Sequence, residues 1–452
     1  MERPVDEMLR RAAGRLSGHM PGHKGQSPFG GPDLYALDTT ELPTTDDLYT
    51  PERGLREAQR LYARAAGAGA TLFLHNGSTQ GIHAMLMLWA REGDTVLLPR
   101  NAHLSAANAC VLWGLRVVWM PVTQLPDGSV HVSEDTVLRM MEDHPEARTV
   151  LVTRPDYFGC GIPLDRIAAR AHALGMRLAV DEAHGAHLPW SQGMRSAGEA
   201  GADAWVQSVH KTLPGLTGSA VLQLRNGEDA PAALRCVRRE QTSSPSFILM
   251  RSIDDSRAWM EEHGRGALSE LTVLLDSLRG RLPTYDYADA HRAWREAGLE
   301  TDGTRLVINA PQGGHRLAEQ LADFGIDAEM ADDRRTVLLF SAMTAPRDVM
   351  KLEEALSKLR PEKAELPSVT PLPPLPETVL PLRQAVMADS EAVRLSESAG
   401  RLAAVSAGLY PPGVPLVVPG ERIPERAAAL LMSAASQNRF GTEGDSILCV
   451  RQ

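Results

Sequence analysis

The sequence predicts an α/β protein: a large domain on a mainly parallel β-sheet covered by helices, then a small α+β domain and a separate C-terminal domain. Three observations carry this reading. Between residues 71 and 207, short apolar runs alternate with segments of helical periodicity, the rhythm that parallel strands joined by helical crossovers produce. From 304 to 359 the strand-like runs TRLVIN and TVLLFS flank one helical pattern and precede another. Residues 361–381, PEKAELPSVTPLPPLPETVLP, are so dense in proline that a stiff, extended linker is expected. The expected organisation is an N-terminal arm at 1–55, the large domain at 56–285, the small domain at 286–360, the linker at 361–381 and the C-terminal domain at 382–452.

The elements follow in order. Residues 1–18 read as a short amphipathic helix, and His19 to Leu48 is loop-rich, punctuated by Pro and Gly. MPGHKGQ at Met20 to Gln26 lacks the spacing of a phosphate loop and no strand precedes it, so a nucleotide site is rejected there. Glu52 to Ala66 is a helical pattern with Pro51 suited to its first turn. Strands are expected at Leu72–Leu74, Thr95–Leu98, Arg116–Met120, Val150–Thr153, Arg177–Val180, Trp205–Gln207 and Ser219–Leu224. Helices fall between them at Ile82–Arg91, Ser105–Trp113 and Leu164–Leu174. Glu262 to Leu282 reads as a helix crossing to the small domain, where helices are expected at Gly314–Phe324 and Pro346–Leu359. The C-terminal segment reads as alanine-rich and helical, with a final helix, and no internal repeat is present.

Composition narrows the function classes. Hydrophobic residues at 43% and charged residues at 23% are ordinary globular values, and the net charge of −10 with no basic block argues against a nucleic-acid surface. Cys110, Cys160, Cys236 and Cys449 are widely spaced, without a C-x-x-C pair, and read as reduced, buried thiols. There is no signal-peptide pattern and no apolar run of about eighteen residues, so a soluble, cytoplasmic protein with no membrane partner is expected.

The chemistry gathers at strand ends. Lys211 follows the strand at Trp205 and precedes a Pro/Gly loop. A lysine between two apolar strands is either a loop residue whose stem covers apolar surface or an amine whose pKa is lowered so that it forms a Schiff base with an aldehyde cofactor. Asp181, about thirty residues earlier, ends the strand of RLAVDEAHGAH, where open α/β sheets bind ligands. It is either a helix cap or the carboxylate that keeps the pyridine nitrogen of pyridoxal 5′-phosphate (PLP) protonated. Its spacing to Lys211 favours the cofactor. Upstream, Gly77, Ser78 and Thr79 open a helix after a strand, which makes a phosphate cradle of backbone N–H groups, and Ser208 and His210 flank Lys211 with further donors. His184 and His187 lack metal-binding spacing, so no metal is expected.

These segments resemble the ornithine/lysine/arginine decarboxylases in their shorter form, which share the aminotransferase-like fold (PLP fold type I). The likeness spans nearly the whole chain: MPGHKGQ, TELPTTDDLYTPERGLREAQ, NGSTQG, PRNAHLS, VDEAHGAH, QSVHKTLPGLTGSAVL, TSSPSFILMRSIDDSR and YPPGVPLVVPGE. It implies a PLP-dependent α-decarboxylase of arginine, lysine or ornithine, with residues 56–285 as the PLP-binding domain and a small-molecule amino-acid substrate. It further implies a homodimer or higher homo-oligomer with the site at the subunit interface. In that frame Lys211 carries the cofactor, Asp181 holds its ring nitrogen and His103 stacks on the ring. His184 sits by the phenolic oxygen or the substrate, and Ser244 in TSSPS approaches the neighbouring subunit's phosphate. Asp46, Asp47 and Glu421 are candidates for the distal cation of a basic substrate. Two departures touch the substrate side chain: Arg154 and Cys160 in RPDYFGCG, and His184 where longer bacterial enzymes carry tryptophan. The alternatives are another PLP carbanion reaction, such as transamination or oxidation, and a non-catalytic PLP-binding relative.

Overall fold

The computed structural model describes residues 2–13, 34–366, 368–369, 371–410 and 413–451. MPGHKGQ lies outside the described residues, as do Pro411 and Pro412 of the YPPGVP segment. Of the helix expected over 1–18, Pro4–Ala12 is described.

The central sheet has seven strands: β1 (Ala70–Leu74), β2 (Thr95–Pro99), β3 (Arg116–Met120), β4 (Thr149–Thr153), β5 (Arg177–Asp181), β6 (Ala204–Ser208) and β7 (Ala220–Leu224). Their spatial order is β1-β7-β6-β5-β4-β2-β3. From β6 to β3 every pairing is parallel, while β7 runs antiparallel to both its neighbours. The reason is the connection. Parallel return needs a crossover of a dozen or more residues, usually helical. Residues 209–219 hold only a four-residue helix, Val209–Thr212, so the chain turns straight back. The central strands are apolar on both faces, as parallel strands under two helical layers must be. Leu97, Val150, Val152, Leu178 and Val180 feed one core, and Val96, Leu98, Leu151 and Ala179 feed the other.

This topology places the carboxyl ends of β1, β5 and β6 on one edge of the sheet. Register ties them: Leu74 lies opposite Ala220, and Ala220 opposite Ser208. The helix after β1 spans Gly77–Trp89, starting earlier than the apolar pattern implied. Gly77, at φ +69°, makes the turn into it. Gly81 lets it seat against β6, because a Cβ there would lie 2.4 Å from Val206 Cγ2. The helix N-terminus is thereby pinned beside the end of β6.

The small domain is a four-stranded antiparallel sheet of Ala288–Asp289, Arg305–Asn309, Arg335–Leu339 and Met330–Ala331, in that order, with helices Gly314–Asp323 and Pro346–Lys358. The helix expected from Glu262 starts earlier, at Phe247, where the Ser246 hydroxyl accepts the Leu249 N–H; it continues through a π-helical turn at Met260–Gly264 to Arg281. Its Leu268, Leu271, Leu275 and Leu278 share one core with Leu306, Ile308 and Leu338 of the small domain.

The described residues of 361–381 carry no helix and, apart from an isolated pairing of Thr378 with Glu421, no strand, but they pack against the body. Leu372 N–H donates to Gln124 Oε1 and Ala364 N–H to Pro311 O. The C-terminal domain has the expected final helix, at Glu425–Ser433, but the alanine-rich part before it is only partly helical. After the short helix Leu382–Met387, Ser390–Arg394 pairs antiparallel with Ser446–Val450, a strand that follows the final helix. Alanine-rich sequence is helix-prone, yet long-range pairing overrides so weak a preference. All four cysteines are buried and free.

Arg100 and Glu421 form a buried two-bond pair, at 2.8 and 2.6 Å, between the large and C-terminal domains; Glu421 also accepts the Val418 N–H. Glu421 is therefore committed within the fold and does not present a free acid to a substrate cation. Glu421→Gln is expected to lower the unfolding free energy by about 2–3 kcal/mol, the cost of weakening a buried charged hydrogen bond. Chemical denaturation reads this, with KM unchanged; a raised KM at full stability would restore Glu421 to the substrate.

Candidate active site

Lys211 sits in the short helix just past β6, half-buried, with Nζ 3.1 Å from His184 Nε2. Burial lowers its pKa, and the positive charge of Arg305 adds to that, against the opposing pull of Asp181. Asp181 ends β5 and is buried. Among the described residues its side chain accepts one hydrogen bond, from the Ala183 N–H at 3.2 Å. Burial pushes its pKa up, and the charges of His103 and Lys211 pull it back. A buried carboxylate so sparsely satisfied, on the same sheet edge as a desolvated lysine, fits a cationic ring nitrogen.

The residues expected to form the phosphate cradle lie near one another. Gly77 N–H donates to Gly218 O, which ties the helix start to the loop before β7. On the other side of that loop, His210 Nδ1 donates to Ser219 O at 2.9 Å, leaving Nε2 without a partner among the described residues. Ser78 and Thr79 lie in the first helical turn, whose N–H groups have no intrahelical partner. The hydroxyls of Ser208, Thr212 and Ser219 are buried, and no partner satisfies them among the described residues. Orphaned donors around a helix N-terminus are what a phosphate would satisfy. The residues present fit PLP.

Other sites take different positions. His103 is exposed; it caps the helix Leu104–Trp113, its Nδ1 accepting the Ser105 N–H. Ser244 is also exposed, in a turn closed by its N–H on Thr242 Oγ1, with no bond to the Lys211 cluster. Asp46 is buried, its two oxygens accepting the N–H groups of Asp47, Glu52, Arg53 and Leu55. It fastens the segment leading into the helix Gly54–Ala66, so its carboxylate is not free for a substrate cation. This also explains why that helix starts past Pro51. Asp47 is held by the Tyr49 N–H and the Thr50 hydroxyl.

Arg154 and Cys160, the departures expected to bear on the substrate, are turned into the structure. Arg154 is buried and bonds Glu300 and the Arg195 carbonyl, while Cys160 lies in a two-residue strand paired with Glu300–Thr301. Tyr157 of the same segment faces the site instead. Its ring meets His184 edge-on at 5.1 Å, and its hydroxyl donates to Glu329 Oε1 at 2.6 Å. Residue-type reasoning also missed Arg305, whose Nη2 lies 3.1 Å from His184 Nδ1. Its signal was present: an arginine in the apolar strand TRLVIN is fully buried, and a buried cation demands partners. Asp302 supplies one at 3.6 Å and is itself bonded by His187 at 3.1 Å and by Thr304. Burial alone would raise the Asp302 pKa, but His187 and Arg305 bring it below the usual carboxylate range.

Comparison with known proteins decides what this constellation belongs to. Residues 13–303 match the model of the Orn/Lys/Arg decarboxylase major domain, and residues 376–441 that of its C-terminal domain. The chain belongs to the Orn/Lys/Arg decarboxylase family. It is 31% identical to an arginine decarboxylase of Bacillus subtilis (strain 168), over 94% of this chain and 92% of that one. In structure it is similar to the Francisella novicida lysine decarboxylase LdcF, with a TM-score of 0.85 at 17% identity, covering 99% of this chain and 81% of that one. L-threonine transaldolase from Pseudomonas fluorescens follows at TM-score 0.58 and 14% identity, covering 78% and 79%. The fold is that of PLP fold type I, and the family makes this an amino-acid decarboxylase with PLP as the implied cofactor. No helix among the described residues is long and apolar enough to cross a membrane.

Proposed function

We propose that the protein removes the α-carboxylate of a basic amino acid, arginine, lysine or ornithine, using PLP held through Lys211. The observation that carries this reading is the pairing of a desolvated lysine amine with a buried, sparsely bonded carboxylate at the ends of adjacent parallel strands. When bound, PLP supplies the sink for the electron pair left on Cα as carbon dioxide departs.

This chain's residues supply the rest. The Asp181 carboxylate would pair with the ring nitrogen and keep a proton on it. The N–H groups of Ser78 and Thr79, the Ser208 hydroxyl and His210 hold the phosphate. Lys211 Nζ accepts and returns a proton, and one proton replaces the lost carboxylate on Cα. His103 would stack on the ring. Glu329 and Tyr157 stand at the mouth, and the Glu329 charge reaches Lys211 and Arg305, which suits a cationic side chain. The reading includes a cytoplasmic homodimer or larger homo-oligomer in which the exposed Ser244 turn serves a partner's phosphate.

The test is carbon-dioxide release and product identity for PLP-loaded protein offered arginine, lysine, ornithine and several non-basic amino acids. Arginine heads the panel because the relative from B. subtilis is named for it. Release from a basic substrate with the matching amine is expected. A keto acid in place of the amine would move the assignment to transamination or oxidation, and release only from a non-basic amino acid would overturn the substrate class.

A further inference from the structure

We infer that Arg305 is a positioning residue that fixes His184 as the tautomer protonated on Nε2, so that this N–H donates to the lone pair of the Lys211 amine. The argument is one of donors and acceptors. A guanidinium only donates, so across the 3.1 Å contact with Arg305 Nη2 the His184 Nδ1 must accept. A neutral imidazole then carries its proton on Nε2. That atom lies 3.1 Å from Lys211 Nζ, and with Nε2 as donor the lysine must be the acceptor, a neutral amine with a free electron pair. An ammonium would set donor against donor.

The imidazole is held neutral by what surrounds it. His184 is buried and faces Lys211 and Arg305, with His103 adding positive charge. The carboxylate in its reach, Asp302, is occupied by His187 and Thr304. Burial and these cations lower the His184 pKa well below its ordinary value. Arg305 cannot swing away: it is fully buried beside Asp302 and Thr304, and a Cβ at Gly159 would sit 2.5 Å from its Cγ. The Tyr157 ring closes the remaining edge of His184. Arg305 comes from the small domain and His184 from the large one, so the small domain sets the state of the lysine. A nucleophilic amine near neutral pH is what capture of an aldehyde needs.

The inference rests on Lys211 being the amine that takes the aldehyde, yet its test needs no substrate. In cofactor-free protein labelled with ¹⁵N-histidine, with the His184 signals assigned through His184→Phe, the expected spectrum shows Nδ1 unprotonated and Nε2 protonated. In Arg305→Met that preference is lost, and Arg305→Lys, which keeps a donor, restores it. Protonation on Nδ1 in the wild type overturns the inference whether or not Arg305→Met folds, as does an Nε2–H tautomer that survives Arg305→Met.

A second readout is the pH dependence of the rate at which Lys211 captures added PLP, followed by absorbance. Lys211 faces Asp181, Arg305 and Glu329 as well as His184, so charge and hydrogen bonding must be separated. His184→Phe keeps the Arg305 charge and removes the donor. It is expected to raise the pH of half-maximal rate by about one unit, as Arg305→Met does, with the double variant no worse than either. A shift in Arg305→Met alone would mean that charge acts and the tautomer does not. Loss of decarboxylation with these spectra intact would count against the substrate reading, not against the tautomer.

Discussion

Lys211→Ala is expected to lower carbon-dioxide release from the active substrate by at least about 10⁴-fold, the upper range for removing a group that moves protons in the rate-determining step. The variant loses both the amine that captures the cofactor and the group that delivers a proton to Cα. PLP should still bind, weakly, through the phosphate cradle and Asp181, and its absorbance should be that of the free aldehyde. Lys211→Arg should not rescue, because a guanidinium does not deprotonate and cannot act as nucleophile. Stability gives the control. Lys211 is a desolvated amine whose lowered pKa marks burial as a cost, so alanine should leave the thermal midpoint of cofactor-free protein unchanged or slightly higher. Activity within tenfold of wild type would remove Lys211 from the chemistry.

What was legible in the sequence, and what was not, follows from how each residue meets its surroundings. Lys211, Asp181 and the turn at Gly77 are readable because strand ends in a parallel sheet share one edge, so linear order alone brings them together. The central strands are readable because burial on both faces leaves unbroken apolar runs. Arg305 and Tyr157 are a different case. They reach His184 from a second sheet and a loop, 121 positions away for Arg305, and no local pattern encodes that approach. Arg154 follows a strand end and Arg305 opens a strand, and no local pattern separates them; only the fold sends one to Glu300 and the other to His184. Asp46 and Glu421 mislead for a related reason. An acid in a shared motif is as well explained by holding backbone N–H groups or a buried arginine as by holding a substrate, and the structure gives both of them such partners. The C-terminal strands escape because alanine carries a helical preference worth less than a kcal/mol per residue, by rough scale, than pairing with a distant strand returns.

Asp181→Asn separates function from fold most sharply. Asparagine keeps the shape and keeps an oxygen for the Ala183 N–H, but it removes the negative charge that would hold a proton on the ring nitrogen. Carbon-dioxide release should fall by about 10²–10³-fold, the range for deleting one preorganised electrostatic partner. Stability of cofactor-free protein should move the other way. Burial raises the Asp181 pKa, so the folded chain holds that proton more tightly than the unfolded chain does. Its contribution is therefore favourable at acid pH and is lost as pH rises through the folded value. At neutral pH the ionised carboxylate is a burden on the fold that asparagine relieves, and the unfolding midpoint should rise or hold. A helix-cap role predicts a different result, near-normal turnover, because asparagine caps as well as aspartate does. Falling activity with undiminished stability is the signature of a charge kept in the protein interior for the cofactor it faces.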